Sequence, residues 1–434
     1  MPDTPPSAPW AIIGAGPMGI ATAKVFYGLG LPFVGFDLNS DVGGLWDIDA
    51  PRSTMYDSAH LISSRTKTQF TDFPMAEDVP DYPSHKRVLA YFRDYADHFD
   101  LRRHYHFGAE VLSCVPDDTG WTLRWRKDGA DHTGRFRGVL ICNGTLSEPN
   151  MPVFPGHFDG ALIHSSKYRS PSQFTGKRVL VVGAGNSGCD IAVDAIHHAV
   201  SCDLSMRRGY HFVPKYVFGR PADTIGGAIR LPMWLKRRVD GLILSWFVGD
   251  AQKLGFPKPD HQLYESHPVV NSQVLFHAGH GDLRVRPDIT RLDGNTVCFK
   301  DGTSGDYDMI LAATGYRLHY PFIDQSLLNW QGDAPHLYLN CMHPDRDDLF
   351  VMGMIEATGL GWQGRHDQAE LVGRYIQRLD SPGAATIRQQ KSRGFRRATG
   401  GMRYLNLPRM AYYVDKTTYL RTLHRAIRKL GGVA

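Results

Sequence analysis

Two short glycine-rich stretches are the residues best suited to chemistry: Gly14-Ala15-Gly16-Pro17-Met18-Gly19 and Gly183-Ala184-Gly185-Asn186-Ser187-Gly188. Both have the spacing G-x-G-x-x-G. In such a loop the first glycine allows a tight turn out of a strand. The second lets backbone approach a pyrophosphate, and the third lets the following helix pack close to the sheet. The helix N-terminus then turns free N–H groups and the positive end of its dipole toward the phosphates. Alone the pattern is weak. A strand before it, a helix after it and a ribose-reading residue roughly 20–25 positions on make it strong.

Both copies have that context. Trp10–Ile13 reads as a strand, Ile20–Leu29 as a helix and Phe33–Phe36 as a second strand ending in Asp37. Arg178–Val182, Cys189–Ala199 and Asp203–Met206 repeat the arrangement and end in Arg207-Arg208. The carboxylate of Asp37 can accept from ribose hydroxyls but would repel a 2′-phosphate, which suits FAD or NAD. The guanidinium pair is the opposite, since its fork geometry matches phosphate oxygens. We therefore read the first loop as the FAD site and the second as the NADPH site. Lys215 could add a phosphate contact, although a solvated lysine is the plainer reading.

These loops need parallel sheets to position them. Phe136–Cys142, running into Asn143-Gly144, and Asp308–Ala312, running into Thr314-Gly315-Tyr316, read as return strands of the first unit. The expected fold is α/β with two Rossmann-like dinucleotide-binding domains, the NADPH domain inserted into a discontinuous FAD domain. The expected bounds are 1–163 and 287–434 for the FAD domain and 164–286 for the insertion.

Composition narrows the class. The 434 residues are 42% apolar, ordinary for a globular protein of several domains. The six cysteines form no C-x-x-C pair and none stands at metal-ligand spacing from a histidine. That points to reduced thiols in the cytoplasm, no metal, and no disulfide reductase. The polar, proline-rich residues 1–9 do not read as a secretory signal. The best apolar run, Val239–Val248, is far short of the ~18–20 residues a membrane span needs. From Ala385 to Ala434 there are twelve Lys/Arg and one acid, Asp415. Tyr419, Leu420, Leu423, Ile427 and Leu430 form a helical stripe within that region, so it reads as a helix packed on the body or on a partner subunit. The basic charge is not interleaved with a nucleic-acid-binding motif.

The chain resembles the flavin-containing monooxygenases over nearly its whole length. Phe158-Asp159-Gly160 with His164 and Tyr168 matches that family's F-x-G-x-x-x-H-x-x-x-Y pattern, where related Baeyer–Villiger enzymes usually carry Trp followed by Pro or Asp. Gly43-Gly44-Leu45-Trp46, Phe70-Thr71-Asp72-Phe73-Pro74, Pro149-Asn150-Met151-Pro152, Lys258-Pro259, His267-Pro268 and Ala313-Thr314-Gly315-Tyr316 resemble its other segments. One position departs. Where many members have an Asn-Ser-Ser stretch, this chain has Ile62-Ser63-Ser64. Ile62 cannot hydrogen-bond oxygen or NADP. The plant YUCCA-type members also lack that Asn.

The resemblance implies FAD and NADPH as cofactors and a C4a-(hydro)peroxyflavin that oxygenates a small soft nucleophile, an amine or a sulfide. Oxygen insertion beside a carbonyl, a peroxide-releasing NADPH oxidase and a flavin-binding regulatory protein are the alternatives. It further implies that Leu38, Gly44, Leu45, Trp46, Val111, Asn143 and Gly144 serve the flavin with the first loop and Asp37. Ser165 would contact the nicotinamide cofactor, and Ala313, Thr314 and Gly315 complete the cofactor set. Gln363, with Trp362, would border the isoalloxazine at the start of a helix read as Asp367–Leu379. Ile62, His164 and Tyr168 are the candidate catalytic positions. For the last two a role in linking the domains and guiding NADPH is the preferred reading. His60 could face the flavin. A small-molecule substrate and O2 are the expected partners, and a homodimer is a possible assembly.

Overall fold

The computed structural model describes residues 8–225 and 233–432. Two five-stranded sheets dominate it, and every strand pair in both is parallel. The first runs, edge to edge, Leu349–Val351, Gly138–Ile141, Trp10–Ile13, Phe33–Phe36 and Tyr105–His106. The second runs Ala161–His164, Met309–Ala312, Arg178–Val182, Ser201–Ser205 and Leu283–Arg286. The strands beneath the glycine loops, Trp10–Ile13 and Arg178–Val182, are buried apolar runs, as sheets covered on both faces require. In each sheet that strand is central, with its sequence successor on one side and a much later strand on the other. The order reverses there, and the reversal opens a crevice at the carboxyl ends of the strands.

The fold class is as expected, with one correction. Met309–Ala312 is not a return strand of the first sheet. It lies in the second, between Ala161–His164 and Arg178–Val182. The first sheet's outer strand is instead Leu349–Val351. A boundary at 286/287 therefore cuts the second sheet, whose strands extend from 161 to 312.

The links between the sheets are paired. Glu148–Pro149 on the way out and Tyr316–Arg317 on the way back form a short antiparallel ribbon. Arg317 and Glu148 close it with an ion pair of 3.2 Å.

Helices fill the flanks. Pro17–Gly28 packs on Gln363–Gln377 in the first hydrophobic cluster, where the Gln377 amide donates to the Leu29 carbonyl at 3.0 Å. Lys416–Lys429 buries Tyr419, Leu423, Ala426 and Ile427 against the same cluster. The basic C-terminal region is thus a packed helix, as its stripe suggested. Met233–Val248 differs. Trp246 is 89% and Trp234 64% exposed there, with Leu242 and Phe247 also exposed. Arg237 turns inward and meets Glu265 at 3.3 Å. Among the described residues no helix is long and apolar enough to cross a membrane. Five of the six free cysteines are buried and Cys298 is partly exposed.

Candidate active site

The first loop is built as its glycines require. Gly14 has φ +114, and a Cβ there would lie 2.5 Å from the Cys142 carbonyl oxygen. A Cβ on Gly19 would lie 1.8 Å from the Gly14 carbonyl oxygen, so helix and loop touch through backbone alone. Gly16 caps the helix that starts with Pro17 and Met18. Gly44 lies back to back with it, since a Cβ on Gly44 would be 2.9 Å from the Gly16 Cα. The Gly44–Trp46 turn is held beside the loop by the Gly43 N–H on the Ala15 carbonyl at 3.1 Å.

Asp37 stands at the end of the next strand. It accepts from the Ala15 N–H and, at 2.7 Å, from the Asn39 N–H. Burial pushes its carboxyl up to about 6. Desolvation outweighs the two backbone donors, so the group is short of partners that ribose hydroxyls would supply. Leu38 is half-buried beside it. Val111 packs in the cluster containing Ile13 and Phe36. The Asn143 amide donates to the His319 carbonyl at 3.0 Å, and Gly144 turns the chain at φ +80.

The second loop repeats the construction. Gly183 has φ +103 with the Ala313 carbonyl oxygen 2.6 Å from its would-be Cβ, and a Cβ on Gly188 would lie 1.8 Å from the Gly183 carbonyl oxygen. Nothing lies within 4 Å of a Cβ on Gly185, which leaves a cradle at the N-terminus of the Asn186–His198 helix. Asn186 fixes that end by accepting from the Val270 N–H at 2.7 Å and donating to the Pro268 carbonyl at 3.2 Å. Ser187 hydrogen-bonds the Tyr56 hydroxyl. Arg207 is exposed and Arg208 half-exposed just past the Ser201–Ser205 strand, with the Arg208 charge acting on Asp260. Lys215 is partly buried, with its Nζ over the Tyr82 ring at 5.3 Å.

Between the two crevices runs a clasp. His164 Nδ1 accepts from the Ser166 N–H at 3.1 Å, which places the ring proton on Nε2, and that donates to the Gly315 carbonyl at 3.0 Å. Burial lowers its pKa, so the ring stays neutral. The same Gly315 carbonyl accepts from the Asn150 N–H, and Thr314 Oγ1 donates to the Asn150 carbonyl at 2.6 Å. Ser165 is buried and hydrogen-bonds Tyr316. Tyr168 is fully buried, stacked on Phe174 at 4.9 Å, with its hydroxyl on Asp194 at 2.8 Å. These two motif residues hold strand ends and helix together. The polar atoms of both side chains are taken up by these contacts, the arrangement expected of residues that link segments of the chain.

Gln363 begins the Gln363–Gln377 helix, four residues earlier than read. Its Oε1 accepts from the Thr71 N–H and Oγ1, and its Nε2 donates to Asp367 at 2.6 Å. That amide ties the Thr71 segment to the helix. Trp362 packs on Phe92 and, edge to face, on Trp46. Ile62 is half-buried in a bend. His60 is exposed, with Nδ1 on the Ser58 carbonyl at 2.8 Å.

Sequence reading missed Arg169, Tyr56 and Asp194. The Arg169 guanidinium donates to the carbonyls of Ser53, Met55, Ser166 and Tyr168. Tyr56 donates to Asp190 at 3.3 Å, and Ser58 Oγ to Asp194. Together they fasten residues 53–58 to the nucleotide-binding helix. No local pattern marks them, because the partners that tie residues 53–58 to Arg169, Asp190 and Asp194 lie more than a hundred residues away in sequence.

A family model described as flavin-binding monooxygenase-like matches residues 8–391. The chain belongs to this family. It is 30% identical over 392 residues to flavin-containing monooxygenase 2 of Homo sapiens, covering 85% of this chain and 72% of that one. Solved structures share the fold. A structure of Tmm from Pelagibacter sp. strain HTCC7211 superposes with a TM-score of 0.69 at 19% identity, covering 98% of this chain and 90% of that one. Cyclohexanone monooxygenase bound to cyclohexanone gives 0.71 at 19% identity, covering 98% and 97%.

As a family member the protein is an FAD- and NADPH-dependent oxidoreductase that uses O2. The residues fit both cofactors. A Cβ on Gly185 would meet no atom within 4 Å, Asp37 is a buried carboxyl at the end of the first unit's second strand, and the guanidiniums of Arg207 and Arg208 stand at the corresponding end in the second.

Proposed function

We propose that the protein oxygenates a small soft nucleophile, an amine nitrogen or a sulfide sulfur, at the expense of NADPH and O2. The observation that carries this reading is the unlike pair of strand ends, Asp37 in one sheet and Arg207-Arg208 in the other, within a chain of this family. The printed name of one relative, dimethylaniline monooxygenase (N-oxide-forming) 2 of Pan troglodytes, supports nitrogen as the acceptor.

In this reading Gly14, Gly16, Gly19, Asp37, Leu38, Gly44–Trp46, Val111, Asn143 and Gly144 hold FAD. Gly183, Gly185, Asn186, Ser187, Gly188, Arg207, Arg208 and Ser165 hold NADPH, and Ala313–Gly315 close the second crevice. The flavin, when bound, supplies the hydride acceptor and the site of oxygen activation. The protein's part is to bind, orient and exclude water. The two helix N-termini neutralise phosphate charge. The neutral His164 and the Arg169 fork keep the crevices in register without taking part in proton transfer. The lobe carrying NADPH is then residues 161–312, and the remainder carries FAD.

Ile62 favours a second reading. An apolar side chain where relatives place an amide would release peroxide instead of product. Steady-state turnover with a tertiary amine or a thioether decides between them. Oxide formed in proportion to NADPH consumed supports the oxygenase, while peroxide formed one-for-one in both cases refutes it.

The protein is read as cytoplasmic, in line with its reduced cysteines, and takes small molecules, not nucleic acid. The outward apolar side of Met233–Val248 offers a surface for a homodimer, which light scattering on the purified protein tests directly.

A further inference from the structure

The Gln273–His280 helix ends in a tight reversal. Gly281, at φ +85, donates to the Ala278 carbonyl, and the Asp282 N–H donates to the His277 carbonyl at 3.0 Å. This left-handed cap folds Asp282 back over the last turn. His277 and His280, three apart, share one helix face. The Asp282 Oδ2 lies 3.1 Å from His277 Nδ1 and 3.9 Å from His280 Nδ1. All three ligand atoms lie within 4.8 Å of one another, and among the described residues no other such group of His, Cys, Asp or Glu exists.

The spacing is close to a coordination polyhedron. Two donors each about 2.0–2.1 Å from a tetrahedral zinc lie about 3.3–3.4 Å apart, a small side-chain adjustment from what is seen. A carboxylate at a helix C-terminus also faces the negative end of the helix dipole. A bound cation would offset that penalty, so the arrangement wants positive charge between the three groups. The His197 ring, on the last turn of the nucleotide-binding helix, lies edge to face with His277 at 4.9 Å.

We propose that His277 Nδ1, His280 Nδ1 and Asp282 Oδ2 bind a divalent transition-metal ion, with water completing the shell. Two imidazoles and one carboxylate select Zn2+, Ni2+ or Cu2+ over Mg2+ and Ca2+, which prefer oxygen ligands alone. The site is not catalytic. His197 is eleven residues from Asn186 along one helix, about 17 Å from the nucleotide cradle. The ion would fasten the last turn of the Gln273–His280 helix to the turn leading into the edge strand Leu283–Arg286. The ligands are contiguous, H-x-x-H-x-D, and involve no cysteine.

The test uses chelator-treated protein retaining its FAD. Calorimetric titration with Zn2+ is expected to show one site, weakened more than about tenfold by His280→Ala and by Asp282→Asn. Mg2+ should give no heat. The Cu2+-loaded protein should show hyperfine splitting from at least two imidazole nitrogens, reduced by one in His280→Ala. His280 is 68% exposed, so that variant is expected to fold, as circular dichroism will show. Absence of Zn2+ binding, or binding and hyperfine pattern unchanged in both variants, overturns the proposal.

Discussion

The hydroxyl of Tyr168 donates to the Asp194 carboxylate at 2.8 Å, and the ring around it is wholly buried. Asp194 sits on the nucleotide-binding helix and also receives Ser58 Oγ. A tyrosine in the family's most specific motif thus joins three segments. Tyr168→Phe should lower unfolding free energy by about 1.5–3 kcal/mol, the range for a hydrogen bond to a charged group. The rate of flavin reduction at saturating NADPH should not change. Thermal unfolding and stopped-flow reduction check the two parts, and a large fall in the reduction rate with intact stability would show a catalytic role.

The paired guanidiniums give a cofactor prediction. Replacing Arg207 and Arg208 with Ala should raise KM for NADPH about 10–100-fold, equivalent to losing about 1.4–2.7 kcal/mol of phosphate contact, with kcat nearly unchanged. NADH kinetics should stay as they were. An unchanged preference for NADPH would remove the pair from the site.

Asp37 ties flavin affinity to pH. Its folded pKa of about 6 is above the ordinary 3.8. Between these values the folded apoprotein holds a proton that the unfolded chain has released. The stability this contributes is complete below about pH 4 and lost as pH rises through 6. Ribose hydroxyls favour the ionised form, so FAD binding must expel that proton. FAD affinity should therefore weaken as pH falls through 6 and level off above it. Fluorescence titration of the apoprotein measures this, and Asp37→Asn should bind more weakly with a flat profile over that range.

The two glycines of the second loop should separate folding from binding. Gly188→Ala places a Cβ 1.8 Å from a backbone oxygen, so the loop must shift and the protein lose stability. Gly185→Ala meets no atom within 4 Å and should fold normally. Its methyl group would stand where backbone must approach the pyrophosphate, so NADPH binding should fall sharply. Melting temperatures and NADPH titrations of the two variants distinguish the effects.

Ile62 should govern coupling. If the apolar side chain promotes peroxide release, Ile62→Asn should lower peroxide formed per NADPH without changing flavin reduction. A peroxide assay run beside NADPH consumption reads this, and an unchanged ratio would show that the position does not control oxygen.

Both glycine loops, between a strand and a helix, were legible because their physics is local. A positive φ at Gly14 and a close contact at Gly19 leave a fixed trace in spacing. Sheet membership was not. Met309–Ala312 and Gly138–Ile141 are four-residue apolar runs of the same character, and nothing in either says which crevice it borders. Leu349–Val351 is too short to stand out from surrounding apolar residues. His164 and Tyr168 were legible as special, and as links between segments, but not in the partners they hold. A motif records that a residue is constrained; the partners themselves, Gly315 for His164 and Asp194 for Tyr168, lie outside it.

The pairing of Glu148–Pro149 with Tyr316–Arg317 reaches beyond geometry. Viewed from the first sheet, the chain departs on one strand of a two-stranded ribbon and returns on the other, as in a hairpin. The segment between folds around its own parallel sheet, whose adjacent strands Ala161–His164 and Met309–Ala312 bring its ends side by side. Once it has folded, the long loop it spans is already closed. The outer strand Leu349–Val351 can then join its sheet at roughly the entropic cost of a short connection, which predicts that the second sheet forms before the first is complete.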